Sequence, residues 1–310
     1  MPTHSSLTDP DVLIIGAGPT GAVASKRLAE AGFKVVCLEQ GDWPDYSKAR
    51  SPFADFELTA GRDWSWTPNN RRMPSDYPIE ESDSDITALM WNGVGGSSVL
   101  FAAQWHRNLP SDFRVRSLDG VADDWPLSYA DLEPFYQRVE HDFAVSGVSG
   151  DPSYPEGITT PLPPTPLGRI GRRVVKAHNK LGWHWWPSSN AIATRAHASL
   201  RPCTQRASCL WGCPEGAKAS ADRSHWPINL ELGVQLITGA RVQRIEMDAQ
   251  GRATGATYID REGRQHFQAA PITILAANGV GTPRLLLTSA TDTYRDGLAN
   301  SSGLVGKRLM

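Results

Sequence analysis

The stretch DVLIIGAGPTGAVASKRLAEAGFKVVCLEQGD constrains the fold more than any other part of the chain. Val12 to Ile15 form a short apolar run, and Pro19 and Thr20 open a helical pattern carried by Ala22, Val23, Leu28 and Ala31. Gly32 stops that helix, and Lys34 to Leu38 read as a second strand. Between the first strand and the helix stand Gly16, Gly18 and Gly21, at the G-x-G-x-x-G spacing. Gly16 allows the tight turn, Gly18 lets a pyrophosphate approach the backbone, and Gly21 lets helix and strand pack closely. Phosphates would then rest on the positive end of the helix dipole. Glu39 closes the second strand, where a carboxylate accepts hydrogen bonds from ribose hydroxyls. This order predicts an α/β, Rossmann-like dinucleotide site and leaves NAD and FAD both open.

The segment after the second strand bears on that choice. Residues 42 to 85 are rich in Pro, Trp, Asp, Ser and Arg and show no helical period. A nicotinamide domain would usually continue into another helix and strand, so the excursion argues for an inserted lobe. LMWNGVGGSSVLFAAQWHR then supplies a second glycine cluster. Its bare backbone and the hydroxyls of Ser97 and Ser98 suit phosphate or ribityl oxygens, although a plain glycine turn reads equally well. In PITILAANGVGTPRLLLTS, Ile272 to Leu275 read as a late parallel strand and Ala276 to Gly281 as a loop of small residues. Thr282 and Pro283 read as the cap and first position of a helix running to Thr288. Ligands prefer the C-terminal edge of such a sheet. Elsewhere, DDWPLSYADLEPFYQRVEHDF suggests a helix capped by Asp131, residues 151 to 168 a proline-rich extended connection, and VQLITGARVQRIEMD with RATGATYIDREG an antiparallel hairpin or meander.

Bulk properties narrow the partners. A length of 310 residues suits two domains or one large discontinuous one. Lys+Arg 31 against Asp+Glu 33, a net charge of -2, gives no reason to expect nucleic acid. No run approaches a membrane span, and MPTHSSLTDPDVLIIG has no basic n-region or long apolar h-region. The expectation is therefore a cytoplasmic chain, periplasmic only if a partner subunit carries it.

Taken in order, GAGPTG with Glu39, NGVGGSSV, GCPEGAKAS, and AANGVGTPRLLLTS followed by GLANSSGLVGKRLM resemble the flavin-dependent glucose-methanol-choline (GMC) oxidoreductases. The resemblance is strongest to the branch of gluconate and sorbose-type dehydrogenases and long-chain alcohol oxidases. It implies an FAD-binding domain of the glutathione-reductase-like type, discontinuous over residues 1–45, 86–112 and 214–310. Residues 46–85 and 113–213 would then be inserted lid and substrate-lobe segments, an incomplete substrate domain. Gly16, Gly18, Gly21 and Glu39 would hold the ADP half. Asn92, Gly93, Gly95, Gly96 and Ser97 would line the pyrophosphate and flavin side, Val242 would meet the adenine through its backbone, and Ala276, Ala277, Asn278 and Gly279 would close over the dinucleotide.

The implied reaction oxidises a CH–OH group of an alcohol, polyol or sugar by hydride transfer to flavin N5, with a base removing the hydroxyl proton. Electrons would pass to a non-oxygen acceptor. The competing readings are an oxidase using O₂ and a flavin-binding subunit completed by a partner chain. The family's His-containing catalytic pair belongs to a C-terminal half, so no catalytic residue is expected here, and the chain reads as a fragment or one half of a split enzyme. His106, His184, His197 and His225 read as surface, packing or lobe residues. Val99, Leu100 and Phe101 stand where some relatives link a histidine to FAD, so FAD is expected to be non-covalent.

Cys203, Cys209 and Cys213 fall within eleven residues of a chain whose other cysteine is Cys37. Their spacing matches that of three-iron clusters in dehydrogenases resembling this branch, which opens a [3Fe-4S] reading. Structural thiols beside PEGAK compete with it, and a zinc site or a disulfide stays open as well.

Overall fold

A computed structural model of the chain describes residues 9–49, 64–71, 73–77 and 79–307. Part of the inserted segment expected over 46–85, the start of the N-terminal segment and the end of GLVGKRLM lie outside these residues. The principal elements are β1 (Val12–Ile15), α1 (Pro19–Glu30), β2 (Val35–Leu38), α2 (Tyr129–Asp142), α3 (Arg169–Leu181), α4 (Trp226–Glu231), β3 (Gln235–Ile237), β4 (Arg241–Met247), β5 (Ala253–Ile259), β6 (Gln265–Ala269), β7 (Ile272–Leu275) and α5 (Asn278–Thr288). They fall into two compact units. The first comprises the described residues of Met1–Leu100, Leu210–Pro214 and Ala221–Met310, the second Phe101–Cys209 and Glu215–Ser220.

The first unit is built on a parallel sheet of order β3-β2-β1-β7. Strand β1 pairs with β2 in the register Ile14↔Cys37 and with β7 in the register Val12↔Ile272. Every residue of β1 and β2 is buried, the unbroken apolar run expected of a parallel sheet covered on both faces. Alternation sends Leu13, Ile15, Val36 and Leu38 into a cluster with Val242, Ile245 and Tyr258 from the antiparallel sheet β4-β5-β6 and with Leu285 of α5. Val12, Ile14, Val35 and Cys37 go to the other face, against Ala22 of α1 and Trp226 of α4. Each such aliphatic side chain contributes about 1.5–3 kcal/mol on burial.

Three local expectations change. The stretch VQLITGARVQRIEMD does not run as one strand: Gln235–Ile237 joins the parallel sheet beside β2, Gly239 at φ +68° turns the chain, and only Arg241–Met247 enters the antiparallel sheet. Helix α5 begins at Asn278 rather than after Thr282, with Pro283 inside it. The Asn278 side chain accepts from the amides of Val280 (2.8 Å) and Gly281 (2.9 Å), which satisfies the first turn, and Pro283 removes only one interior bond. In α2 the cap is Ser128, not Asp131. Asp131 is its reciprocal partner, accepting from the Ser128 amide at 2.8 Å and hydroxyl at 2.7 Å.

In the second unit, α2 buries Tyr129 and Glu140, while Phe135 is exposed. Glu140 is held there in a buried ion pair. Arg107 donates to both Glu140 carboxylate oxygens at 2.6 Å and to the Tyr129 hydroxyl at 2.8 Å, with 5% of each charged side chain exposed. No helix among the described residues is long and apolar enough to cross a membrane.

Removing one partner of a buried pair strands the other's charge. Glu140→Ala is therefore expected to cost about 3–5 kcal/mol, read as a lower urea midpoint by tryptophan fluorescence; an unchanged midpoint would show that the bidentate pair does not hold the unit together.

Candidate functional site

At the end of β1 the chain turns at Gly16, whose φ of +105° is open to glycine and strained for other residues. A Cβ there would fall 2.5 Å from the Ala276 carbonyl oxygen, at the end of β7. Gly21, one turn into α1, presses on the same loop, since its Cβ would lie 2.0 Å from the Gly16 oxygen. The second glycine cluster meets the first directly. Gly96, at φ +53°, would place a Cβ 2.8 Å from the Gly18 Cα. Gly93 and Gly95 support this contact from behind: the Gly96 amide donates to Gly93 (2.8 Å) and the Gly95 amide to the Ala17 carbonyl (2.9 Å).

These backbone approaches enclose a cavity of about 430 Å³, within the usual range for a small-molecule site. Of the expected residues, Gly16, Gly18, Glu39, Asn92, Gly96, Ser97, Val242, Ala276, Ala277 and Asn278 line it. Gly21, Gly93 and Gly95 do not. Residues at the N-termini of two helices, Pro19 and Thr20 of α1 and Asn278 and Gly279 of α5, also face it, so the positive ends of both dipoles adjoin one space.

Glu39 is 6% exposed. Its two carboxylate oxygens accept from the amides of Ala17 (2.8 Å) and Gly41 (2.9 Å). Burial raises its pKa from 4.5, and these amides oppose the rise. Even with the Gln40 amide, which also favours the carboxylate, acceptor capacity is left for a hydroxyl donor. Ser97 accepts from the Trp91 amide at 3.2 Å. Ser98 also lines the cavity, and its hydroxyl braces the loop, donating to the Gly95 carbonyl at 2.6 Å and accepting from the Ala221 amide at 2.9 Å.

Bare backbone at Gly18 and Gly96, two helix N-termini, one buried carboxylate and an apolar wall at Val242 fit a dinucleotide, with an anionic centre and hydroxyl-bearing riboses. Tyr77, Trp91 and Arg284 also line the cavity and were missed. Tyr77 lies in a segment without periodicity, and Arg284 fell in a helix whose start was read too late.

The three cysteines take a different place. Among the described residues, no group of three or more His, Cys, Asp or Glu side chains is placed to hold a metal ion, so the [3Fe-4S] expectation for Cys203, Cys209 and Cys213 finds no donor set. Within the second unit, Lys218, 1% exposed, fastens this loop instead. Its ammonium donates to the carbonyls of Cys209 (2.6 Å) and Phe101 (3.0 Å), and Cys203 Sγ accepts the Gln205 amide at 3.3 Å. His225 is fully buried with its Nδ1 2.8 Å from the Ser224 hydroxyl. His197 bonds the His141 carbonyl at 2.9 Å and His184 lies 3.3 Å from Asp151, while His106 lines a smaller cavity of the second unit. Val99 and Leu100 are core residues packed with Trp64 and Trp91.

Comparison with known proteins places this geometry. The family profile described as GMC oxidoreductase matches residues 10–310. The chain is 43% identical to 2-methyl-1,2-propanediol dehydrogenase of Mycolicibacterium austroafricanum, over 99% of this chain and 55% of that protein. It is 32% identical to the fructose dehydrogenase large subunit of Gluconobacter japonicus, over 97% of this chain and 58% of that protein. The chain thus spans about half the length of the curated relatives it matches. Among solved structures, pyridoxine 4-oxidase from Mesorbium loti aligns with a TM-score of 0.58 at 22% identity, over 91% of this chain and 52% of that one. A formate oxidase of Aspergillus oryzae RIB40, solved to examine FAD modification, gives 0.56 at 16% identity, over 93% and 48%. At those identities the likeness is one of fold.

Two outcomes test the site. Gly16→Ala combines positive φ with a backbone clash and is expected to cost at least about 1–3 kcal/mol, whereas Gly18→Ala, whose Cβ would find its nearest neighbour at 3.8 Å, should fold with a similar urea midpoint and lose ligand affinity. Because the folded protein holds the Glu39 proton to higher pH than the unfolded chain, the stability this adds is present below 4.5 and lost as pH rises through the folded value. The melting temperature of the ligand-free protein relative to Glu39→Gln should therefore fall as pH rises above 4.5; a constant difference would count against the buried carboxylate.

Proposed function

The chain belongs to the GMC oxidoreductase family, and from that premise we propose that it holds FAD in the cavity of its first unit, as part of an enzyme that oxidises a CH–OH group of an alcohol, polyol or sugar. The observation that carries the reading is the contact of Gly18 with Gly96 beside Glu39, which leaves a strip of bare backbone between two helix N-termini. The α1 and α5 amides hold the diphosphate, Glu39 accepts from the adenosine ribose, and the small side chains of Ala276 and Ala277 leave room at the edge of the sheet. Bound FAD supplies a two-electron acceptor for the carbinol hydride, while the hydroxyl proton leaves to a base and a carbonyl compound is formed. None of the residues that hold the dinucleotide acts as that base. FAD binds without a covalent link, since the apolar side chains of Val99 and Leu100 offer no attachment atom.

Electrons then pass to an acceptor other than oxygen. The relatives at 43% and 32% identity are both named dehydrogenases, whereas proteins named oxidases stand at 30% and 29%. One of the dehydrogenases is a large subunit, which supports a partner that receives the electrons. The cysteines serve as loop thiols.

The chain is expected to quench flavin fluorescence on taking up FAD. Glu39→Ala should weaken that binding roughly 10- to 100-fold, the loss of about 1.5–3 kcal/mol in charge-assisted bonds. In the enzyme containing this chain, alcohol should bleach the flavin anaerobically and reduce an added dye; rapid peroxide formation in air would assign it to the oxidases instead.

A further inference from the structure

Two side chains that hold neither diphosphate nor ribose face the same cavity. Tyr77 belongs to the irregular segment after β2, Arg284 to the first turns of α5, and both line the space with Glu39 and Val242. The Arg284 guanidinium carbon lies 5.6 Å from the Tyr77 ring centroid, within the distance at which a cation and an aromatic face attract. Among the described residues lining the cavity, Arg284 is the only lysine or arginine.

A tyrosine in an irregular segment would ordinarily swing freely. This one follows a residue that is tied down. Asp76, its side chain 3% exposed, accepts from Arg71 at 2.7 Å, from the Met73 amide at 2.8 Å and from the Asn92 side-chain amide at 2.9 Å. Arg71, its side chain wholly buried, also donates to the Ser65 carbonyl at 2.9 Å and lies 5.1 Å from the Trp91 ring centroid. A buried ion pair recovers little more than its desolvation cost, so its use here is positional: it fixes the segment leading to Tyr77 against Trp91 and Asn92, two residues of the cavity wall. Arg284 is set from the other side, because its neighbour Leu285 is 3% exposed in the cluster containing Val242.

We propose that Tyr77 and Arg284 form a clasp across the adenosine end of the cavity that retains the dinucleotide, a role that rests on the FAD reading of the site. The end is chosen by the neighbours: Val242 is the apolar wall suited to a purine, and Glu39 the carboxylate suited to its ribose. A guanidinium set 5.6 Å from the centre of a phenol ring places a cation and an aromatic face side by side, both able to meet an adenine. Asp76 acts as a positioning residue for Tyr77.

The test uses the full chain and measures dissociation constants for FAD and for ADP by fluorescence titration and competition, with the melting temperature of each variant confirming that it is folded. Tyr77→Ala and Arg284→Ala should each weaken FAD binding about 3- to 30-fold and weaken ADP binding by the same factor. Tyr77→Phe keeps the ring and should bind as the unchanged protein does. The double variant should bind no more weakly than the worse single variant, as expected of two groups acting as one. Full additivity, a loss for FAD without a loss for ADP, or unchanged affinity in both alanine variants would overturn the clasp while leaving the site's assignment intact. If the unsubstituted chain binds neither FAD nor ADP, the assignment fails and the clasp with it.

Discussion

One residue, Ala17, joins through its backbone N–H and C=O most of what gives the first unit its purpose. Its N–H goes to the Glu39 carboxylate at 2.8 Å. Its carbonyl accepts the Gly95 amide at 2.9 Å and the Trp226 indole at 2.8 Å. The end of β1, the end of β2, the second glycine cluster and α4 are thereby fixed to a single fully buried residue. Because no water can substitute for these partners, each bond is costly to lose and the geometry has little slack. Where the glycine loops form its wall, the cavity inherits that rigidity, since the wall there is backbone and does not depend on rotamers.

Charge is used sparingly in this structure and mostly for placement. The pairs Arg71 with Asp76 and Arg107 with Glu140 are both nearly withdrawn from solvent, where their desolvation offsets most of their attraction. Hydrophobic substitutes could match their stability. They could not supply the directional bonds that hold Asn92 at the cavity wall or fix Tyr129 at the start of α2. Lys218 follows the same logic, with one ammonium joining two loop carbonyls of the second unit.

The part of this arrangement legible in the sequence was the part carried by neighbouring residues. Strand β1, helix α1 and strand β2 follow from a contiguous apolar run, three glycines and a terminal acid. Strand β7 was legible from the short run Ile272 to Leu275 ahead of a stretch of small residues, although the strand is only partly buried, and the three glycine-bearing segments were expected at one site through the family resemblance. Less was legible where the deciding partner is distant or ambiguous. Gln235–Ile237 could pair in either sheet, and only its pairing with β2 decides. The start of α5 depends on an asparagine that caps from inside a run read as loop, and Pro283 concealed it. Tyr77 carries no local signal because its partner, Arg284, is far along the chain. The cysteine spacing invited a metal, yet it is a lysine that fastens their loop.

The meeting of Gly18 with Gly96 has a consequence for heredity. With less than 3 Å between a Cβ at one and the Cα of the other, a side chain gained at Gly96 cannot be absorbed by adjusting its own segment alone. The two stretches are therefore bound to vary together, although the whole inserted excursion separates them in the chain. A recombination event that joins the front of one such gene to the rest of another preserves this seam only when the second parent is bare at the place of Gly96.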